Sequence, residues 1–288
     1  MILPGSQSQS LSARLAAATD HDLASVTYDR FPDGELCAAL AEADAEALAG
    51  EPAVVVASTL SSDAHLELLQ LQDAAREAGA TEVTTVIPYM GYGRQDAAFK
   101  PGQPVSARAV AGAISANTDR VLLVSPHEPD VTEFFDAPCE VVEGAERLAE
   151  PLPADLDDPV FVAPDEGAVE IAESACEAYG AGDADYFEKE RDYDTGEVEI
   201  SPGSADVTGR DVVLVDDIVA TGSTMSEAID ALHGRDVQRV FVVCVHPLLV
   251  GNARTKLERA GLAGIWGTDT VERDVSAVSV APLLADLV

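Results

Sequence analysis

Lysine is nearly absent from this sequence. Only Lys100, Lys189 and Lys256 occur in 288 residues, and all 17 basic side chains face 52 acidic ones, for a net charge of −35. A basic footprint for nucleic acid is therefore missing, which excludes that class of partner. No apolar run approaches the roughly eighteen residues of a membrane helix, so no membrane span is expected. The opening MILPGSQSQS also lacks the basic flank of an export signal, so a soluble, cytoplasmic protein is expected. The four cysteines, Cys37, Cys139, Cys176 and Cys244, are scattered without CxxC spacing. That argues against a zinc or dithiol motif and predicts reduced, mostly buried thiols.

What is present has the balance of a folded protein. The apolar fraction is 47%, and the acids are spread along the whole chain rather than gathered in a tail, so the charge excess does not signal disorder. A lysine-poor acidic surface on an ordinary core suits high salt, where screening reduces self-repulsion.

Short apolar segments alternate with amphipathic ones. Strands are expected at Val54–Ala57, Val83–Ile87, Val121–Val124, Val160–Ala163, Val212–Val215, Val240–Val245 and Val275–Val280. Between them lie helical patterns such as HLELLQLQDAAREAG and STMSEAIDALHG, each ending in glycine. The rhythm predicts an α/β protein with mainly parallel sheets flanked by helices. Sliding the sequence by 159 residues puts Val54 on Val213 and Pro88 on Pro247, with strand on strand and helix on helix throughout. Two tandem domains of one design are expected, residues 1–143 and 144–288, with GAERLAEPLPADLDDP as a linker or surface loop between them.

One stretch concentrates chemistry. VVLVDDIVATGSTM, residues 212–225, ends an apolar run in Asp216 and Asp217 and continues through Thr221, Gly222, Ser223 and Thr224 into a helical pattern. A loop entering a helix offers unpaired N–H groups and a positive dipole end, which suits a phosphate. Gly222 lets the backbone turn closely, and the hydroxyls add donors. Ionised carboxylates only accept hydrogen bonds, so the two acids would repel phosphate and hold vicinal hydroxyls. A ligand with a diol at one end and a phosphate at the other, such as ribose 5-phosphate, fits both halves. The first copy has Ser58-Thr59 in the corresponding region, so the acidic pair belongs to the second alone.

VVLVDDIVATGST resembles the ribose-phosphate loop of the type I phosphoribosyltransferase fold. RFPDGE (30–35), YGRQD (92–96), SPHEPDVTEFFDAP (125–138), APDEGA (163–168) and EKERDYDTGEVEI (188–200) narrow the resemblance to the ribose-phosphate pyrophosphokinase family. The ending VSVAPLLADLV agrees, and the likeness spans about residues 28 to 288. It implies a Mg2+-dependent transfer of the β,γ-pyrophosphoryl group of ATP to the 1-hydroxyl of ribose 5-phosphate, giving phosphoribosyl pyrophosphate and AMP. It implies catalytic roles for Lys189 and Arg191, and a sugar-phosphate site of Asp216, Asp217, Ala220, Thr221, Gly222, Ser223 and Thr224. Phe31, Asp33, Glu35, Arg94, Gln95 and His127 would face ATP, with Phe31, Asp33 and Glu35 reaching adenine across a subunit boundary. A homo-oligomer, dimer or higher, follows from that sharing. Asp165 and His127 match the metal-side positions. Imidazole is a poor magnesium ligand, so His127 is expected to contact phosphate or a metal-bound water.

Two departures stand out. AAFKPG follows RQD where the family often carries basic residues, and DEGA replaces a more usual glycine-rich loop, with Glu166 an added carboxylate. A phosphoribosyltransferase that consumes phosphoribosyl pyrophosphate would share the 212–225 loop without needing RFPDGE, YGRQD or the Lys-x-Arg segment. A silent regulatory subunit would be expected to have lost some of Lys189, Arg191, His127, Asp216 and Asp217.

Overall fold

The computed structural model describes residues 1–191, 198–202 and 205–288, with side chains described in 1–187 and 205–288. Contacts divide the chain into two compact units. The first comprises residues 1–143, 269–272 and 279–288, and the second comprises 144–268 and 273–278.

The first unit runs β1 (Ile2–Pro4), α1 (Gln9–Ala18), β2 (Val26–Arg30), β3 (Leu36–Leu40), α2 (Glu42–Leu48), β4 (Ala53–Val56), α3 (Ser62–Glu77), β5 (Val83–Ile87), α4 (Ser106–Ser115), β6 (Arg120–Val124) and β7 (Cys139–Val142). Its sheet has the order β1-β4-β5-β6-β7, with every neighbouring pair parallel. Strands β4 and β5 are buried at every residue, as a parallel sheet covered on both faces requires. The pleat sends Val54 and Val56 into one core with Ile2, Leu11 and Leu15, while Val55 joins Leu48, Leu71 and Val83 in another. Strands β2 and β3 form a separate antiparallel hairpin.

The second unit runs β8 (Val160–Ala163), α5 (Val169–Tyr179), β9 (Asp183–Arg191), β10 (Val198–Pro202), β11 (Asp211–Ile218), α6 (Ser223–His233), β12 (Arg239–His246), α7 (Ala253–Arg259), β13 (Gly264–Thr268) and β14 (Ser276–Val278). Its sheet order is β10-β9-β8-β11-β12-β13-β14, parallel except for the β10-β9 pair. Val212 and Leu214 point into one core with Met225, Ile229 and Leu232, and Val213 and Val215 into the other with Phe161 and Ala172. The expected α/β class with mainly parallel sheets is therefore present in both units.

The repeat holds from β1 to β5, which match β8 to β12 at the 159-residue spacing, and then breaks. Helix α4 would fall on β13, because the first unit spends residues 88–105 on a long loop between β5 and α4 where the second has only the short 247–252 connection. The YGRQD motif lies in that added loop. Contacts divide the units between residues 143 and 144, and two details around that division differ from expectation. Residues 144–159 are not a linker: a 3-10 helix at Ala145–Ala149 drives Leu148 and Leu152 into the second unit's core beside Phe161 and Val213. The C-terminal residues 279–288 belong to the first unit. There α8 (Ala281–Ala285) packs Ala281 and Leu284 on Ile2, Leu11 and Leu15, and the Glu272 carboxylate accepts the Ser10 and Leu11 amides at 2.5 and 3.1 Å. The strand expected at Val275–Val280 accordingly shortens to β14.

No cysteine is disulfide-bonded. Only Cys244 is fully buried and the other three are half-exposed, so the expectation of mostly buried thiols holds for one of four. Among the described residues no helix is long and apolar enough to cross a membrane.

Candidate active site

Strand β11 carries its apolar residues to the sheet's C-terminal edge and ends in the acidic pair. Both Asp216 and Asp217 are half-buried there. Burial first, then the neighbouring Asp217 carboxyl, push the Asp216 pKa well above the ordinary carboxylate value, with a smaller contribution from Asp165. The Asp217 and Asp165 carboxyls are thus close enough to Asp216 to act on it electrostatically. Crowded carboxylates of this kind hold a proton, accept a diol or surround a hard cation. The Asp217 amide donates to Asp216 Oδ1 at 3.0 Å, which fixes the first carboxylate on the loop. Asp165 follows β8, where its Oδ1 accepts the Gly167 amide at 3.2 Å and caps a short 3-10 turn.

The turn after the acids is built for close approach. Gly222 adopts φ +70°, the left-handed region, and a Cβ there would stand 3.3 Å from both the Ala253 carbonyl oxygen and Leu257 Cγ. Only glycine meets both demands without strain. The segment before α7 locks the loop from behind, with Leu249 N donating to Val219 O and Val250 N to Ala220 O, both at 3.0 Å. The first turn of α6 has no side-chain cap. Its hydroxyls are used otherwise: Thr221 Oγ1 and Ser223 Oγ lie 3.3 Å apart, and Lys256 Nζ donates to Ser223 Oγ at 2.8 Å. Thr221 and Thr224 are exposed, and Ala220 and Ser223 half-buried.

The first unit shows the same turn without a ligand's requirements. At the matching helix, Ser61 Oγ caps the Ala64 amide of α3 at 3.2 Å. The Ser58 hydroxyl donates to Thr270 O at 2.6 Å, and the Thr59 hydroxyl accepts the Gly91 amide at 2.8 Å. A self-capped helix and buried, paired hydroxyls leave nothing for an anion. The uncapped α6 is therefore a property of its sequence and not of the fold.

The remaining expected residues are spread over both units. Phe31, Asp33 and Glu35 lie on the β2-β3 hairpin turn, all exposed, with Phe31 at 54%. The turn is closed by Phe31 N to Glu35 O at 2.8 Å, and the Asp33 carboxylate accepts the Glu35 amide at 3.2 Å. Asp33 thus shapes the turn that presents the phenyl ring. Arg94 is exposed on the long β5–α4 loop. Gln95 is tied into that loop, accepting from Ser106 Oγ at 2.6 Å and donating to Pro104 O at 3.3 Å. Its amide serves the loop's shape and leaves Arg94 as the group presented to a ligand. His127 is exposed just after β6, beyond Ser125 at φ +36°. The side chains of Lys189 and Arg191 lie outside the described residues; their backbone belongs to β9, where Lys189 is paired with Ile200 of β10. Among the described residues no group of three or more His, Cys, Asp or Glu side chains stands ready to hold a metal ion. Lys256 was not anticipated as a site residue, although its rarity in the sequence was a usable signal.

Two phosphoribosyltransferase-type sheets in one chain, one with the Asp216-Asp217 pair and the uncapped 220–224 turn and one without, define a tandem phosphoribosyltransferase architecture. Residues 1–117 match the family model of the N-terminal domain of ribose phosphate pyrophosphokinase, and residues 135–280 match the phosphoribosyl transferase domain. A ribose-phosphate pyrophosphokinase of Halobacterium salinarum is 60% identical over 99% of both chains. One of Methanopyrus kandleri is 43% identical, over 100% of this chain and 98% of its own. The crystal structure of phosphoribosylpyrophosphate synthetase from Mycobacterium smegmatis superposes with a TM-score of 0.83 at 27% identity, covering 100% of this chain and 96% of that one. The chain belongs to the ribose-phosphate pyrophosphokinase family.

Proposed function

We propose that the protein transfers the β,γ-pyrophosphoryl group of ATP to the 1-hydroxyl of ribose 5-phosphate, releasing AMP. The observation that carries this reading is the uncapped N-terminus of α6 directly beyond the Asp216-Asp217 pair, in a chain of this family. The 220–224 turn binds the 5-phosphate through helix amides and hydroxyls. Asp216 and Asp217 accept hydrogen bonds from the ribose hydroxyls, which orients the 1-hydroxyl for in-line attack. Phe31, held out by the Asp33 turn, offers a face for adenine, and Arg94 offers a guanidinium fork for phosphate. His127 contacts the phosphates. Attack on a phosphorus surrounded by negative oxygens is helped mainly by positioning and positive charge, which is the part given to Lys189 and Arg191.

The donor set suits magnesium, a hard cation that takes a few carboxylates and keeps several waters. Asp165 would supply one carboxylate, with His127 reaching the ion through a bound water and the rest of the shell coming from waters and phosphate oxygens; the ion's charge would offset the carboxylate crowding that raises the Asp216 pKa. When bound it supplies charge neutralisation on the phosphate oxygens. A homo-oligomer in the cytoplasm is the setting proposed for this activity.

The test follows AMP and phosphoribosyl pyrophosphate together, in molar KCl with magnesium, ATP and ribose 5-phosphate. Equal amounts of both are expected. Lys189→Ala should lower turnover by orders of magnitude while ribose 5-phosphate still binds, because the lysine acts on the transition state. Folded, assembled protein that yields neither product would turn the reading toward a silent subunit or a phosphoribosyltransferase.

A further inference from the structure

Lys256 brings an ammonium to the first turn of α6. The chain has three lysines against 52 acids, and several arginines, including Arg147, Arg210, Arg239 and Arg254 of the second unit, pair with carboxylates. Lys256 Nζ instead has one polar partner among the described residues, the Ser223 hydroxyl at 2.8 Å. Ser223 opens α6, so the ammonium sits at the positive end of a helix dipole. Lys256 lies in the last turn of its own helix, which favours a cation, but its ammonium also meets the positive end of α6, so an anion bound there would be attracted by both the ammonium and the α6 N-terminus.

Packing, not chance, fixes the placement. Helix α7 presses Ala253 and Leu257 against Gly222, each 3.3 Å from the position of its missing Cβ. Lys256 lies between those two contacts on a helix whose entry is tied to Val219 and Ala220. The side chain is half-buried, which limits where its ammonium can reach beyond the Ser223 hydroxyl.

We propose that Lys256 is a direct ligand of the 5-phosphate, a phosphomonoester dianion, with the Ser223 hydroxyl bridging the ammonium and the phosphate. This rests on reading residues 220–224 as the phosphate turn. The dianion then neutralises both the ammonium and the helix end.

Calorimetric titration with ribose 5-phosphate, and with ribose lacking the phosphate, tests this. Lys256→Gln keeps a hydrogen-bonding tip but loses the charge. It should weaken ribose 5-phosphate binding roughly 10- to 100-fold, the usual range for a lost charge-assisted bond, raise KM for that substrate alone and leave ribose binding unchanged. Lys256→Arg should restore most of the affinity. Thr224→Ala is the companion variant. If it loses affinity while Lys256→Gln binds within twofold of the parent, Lys256 is not a ligand and the phosphate turn stands. If neither loses affinity, the reading of the turn falls as well. The parent protein gives a second route that needs no variant. Amine labelling read by peptide mass spectrometry should show Lys256 protected by ribose 5-phosphate and not by ribose, and equal labelling in both would overturn the proposal.

Discussion

Replacing Gly222 by alanine separates two demands that the 220–224 turn makes on one residue. The first is conformational. At φ +70° an alanine carries the left-handed penalty of roughly 1–2 kcal/mol. The second is steric, since the new Cβ would meet the Ala253 carbonyl and Leu257 Cγ at 3.3 Å, inside ordinary contact distance. Gly209 supplies the control. It lies in the same unit at φ +72° with nothing within 4 Å of its would-be Cβ, so Gly209→Ala has the conformational penalty alone. In urea unfolding at high KCl both variants should lose about 1–2 kcal/mol, with Gly222→Ala the more destabilised. Only Gly222→Ala should move α7 and the turn apart, and its ribose 5-phosphate affinity should fall roughly tenfold, about 1.4 kcal/mol. If the two variants bind the sugar phosphate equally well, the close packing of α7 on the turn has no bearing on binding and the argument fails.

Asp216→Asn should stabilise the ligand-free protein at neutral pH. The folded-state pKa of Asp216 is raised above the ordinary 3.8, so its contribution is fully present below that value and is lost as pH rises through the folded one. The difference between parent and variant in urea midpoint should therefore widen over that window, and parallel curves would contradict the assignment. Asp211→Asn should act oppositely. That carboxylate is fully buried and accepts from Arg239 at 2.9 and 2.6 Å and from the Asp157 amide at 2.8 Å. Burial alone would raise its pKa, but the Arg239 and Asp157 hydrogen bonds together outweigh it and the net shift is downward. Its contribution is present above 3.8 and lost as pH falls through the depressed value, and the variant should lose about 2–3 kcal/mol, somewhat below a fully buried pair because Arg239 is partly exposed.

Strands β4, β5, β8, β11 and β12 were legible because parallel strands covered on both faces read as unbroken valine-rich runs. Shorter or half-exposed strands carry no such run. Strand β1 is three residues long, and β2 alternates polar and half-buried positions, so neither rises above its surroundings. The gapless repeat failed because α/β alternation is insensitive to loop length, and the added 88–105 loop was invisible to it. The 144–159 segment misled for a chemical reason. Its acids are exposed, while Leu148, in the 3-10 turn, and Leu152, just beyond it, are buried, and two leucines are too few to set a period. In the candidate site, Asp216, Asp217 and the turn stood out because strand end, acids and hydroxyls are contiguous in sequence. Lys256 escaped because its approach to Ser223 depends on the packing of α7, which no local pattern encodes.

Residues 279–288 complete the core that begins with Ile2, and this bears on the order of events during synthesis. While a ribosome is still making the second unit, Ile2, Leu11 and Leu15 lack the Val280, Ala281 and Leu284 that will cover them. The first unit must wait with an open apolar face, whereas the second has nearly all its strands before the last residues emerge. Vectorial translation would therefore favour completion of the second unit first, with the N-terminal sheet sealed only by α8.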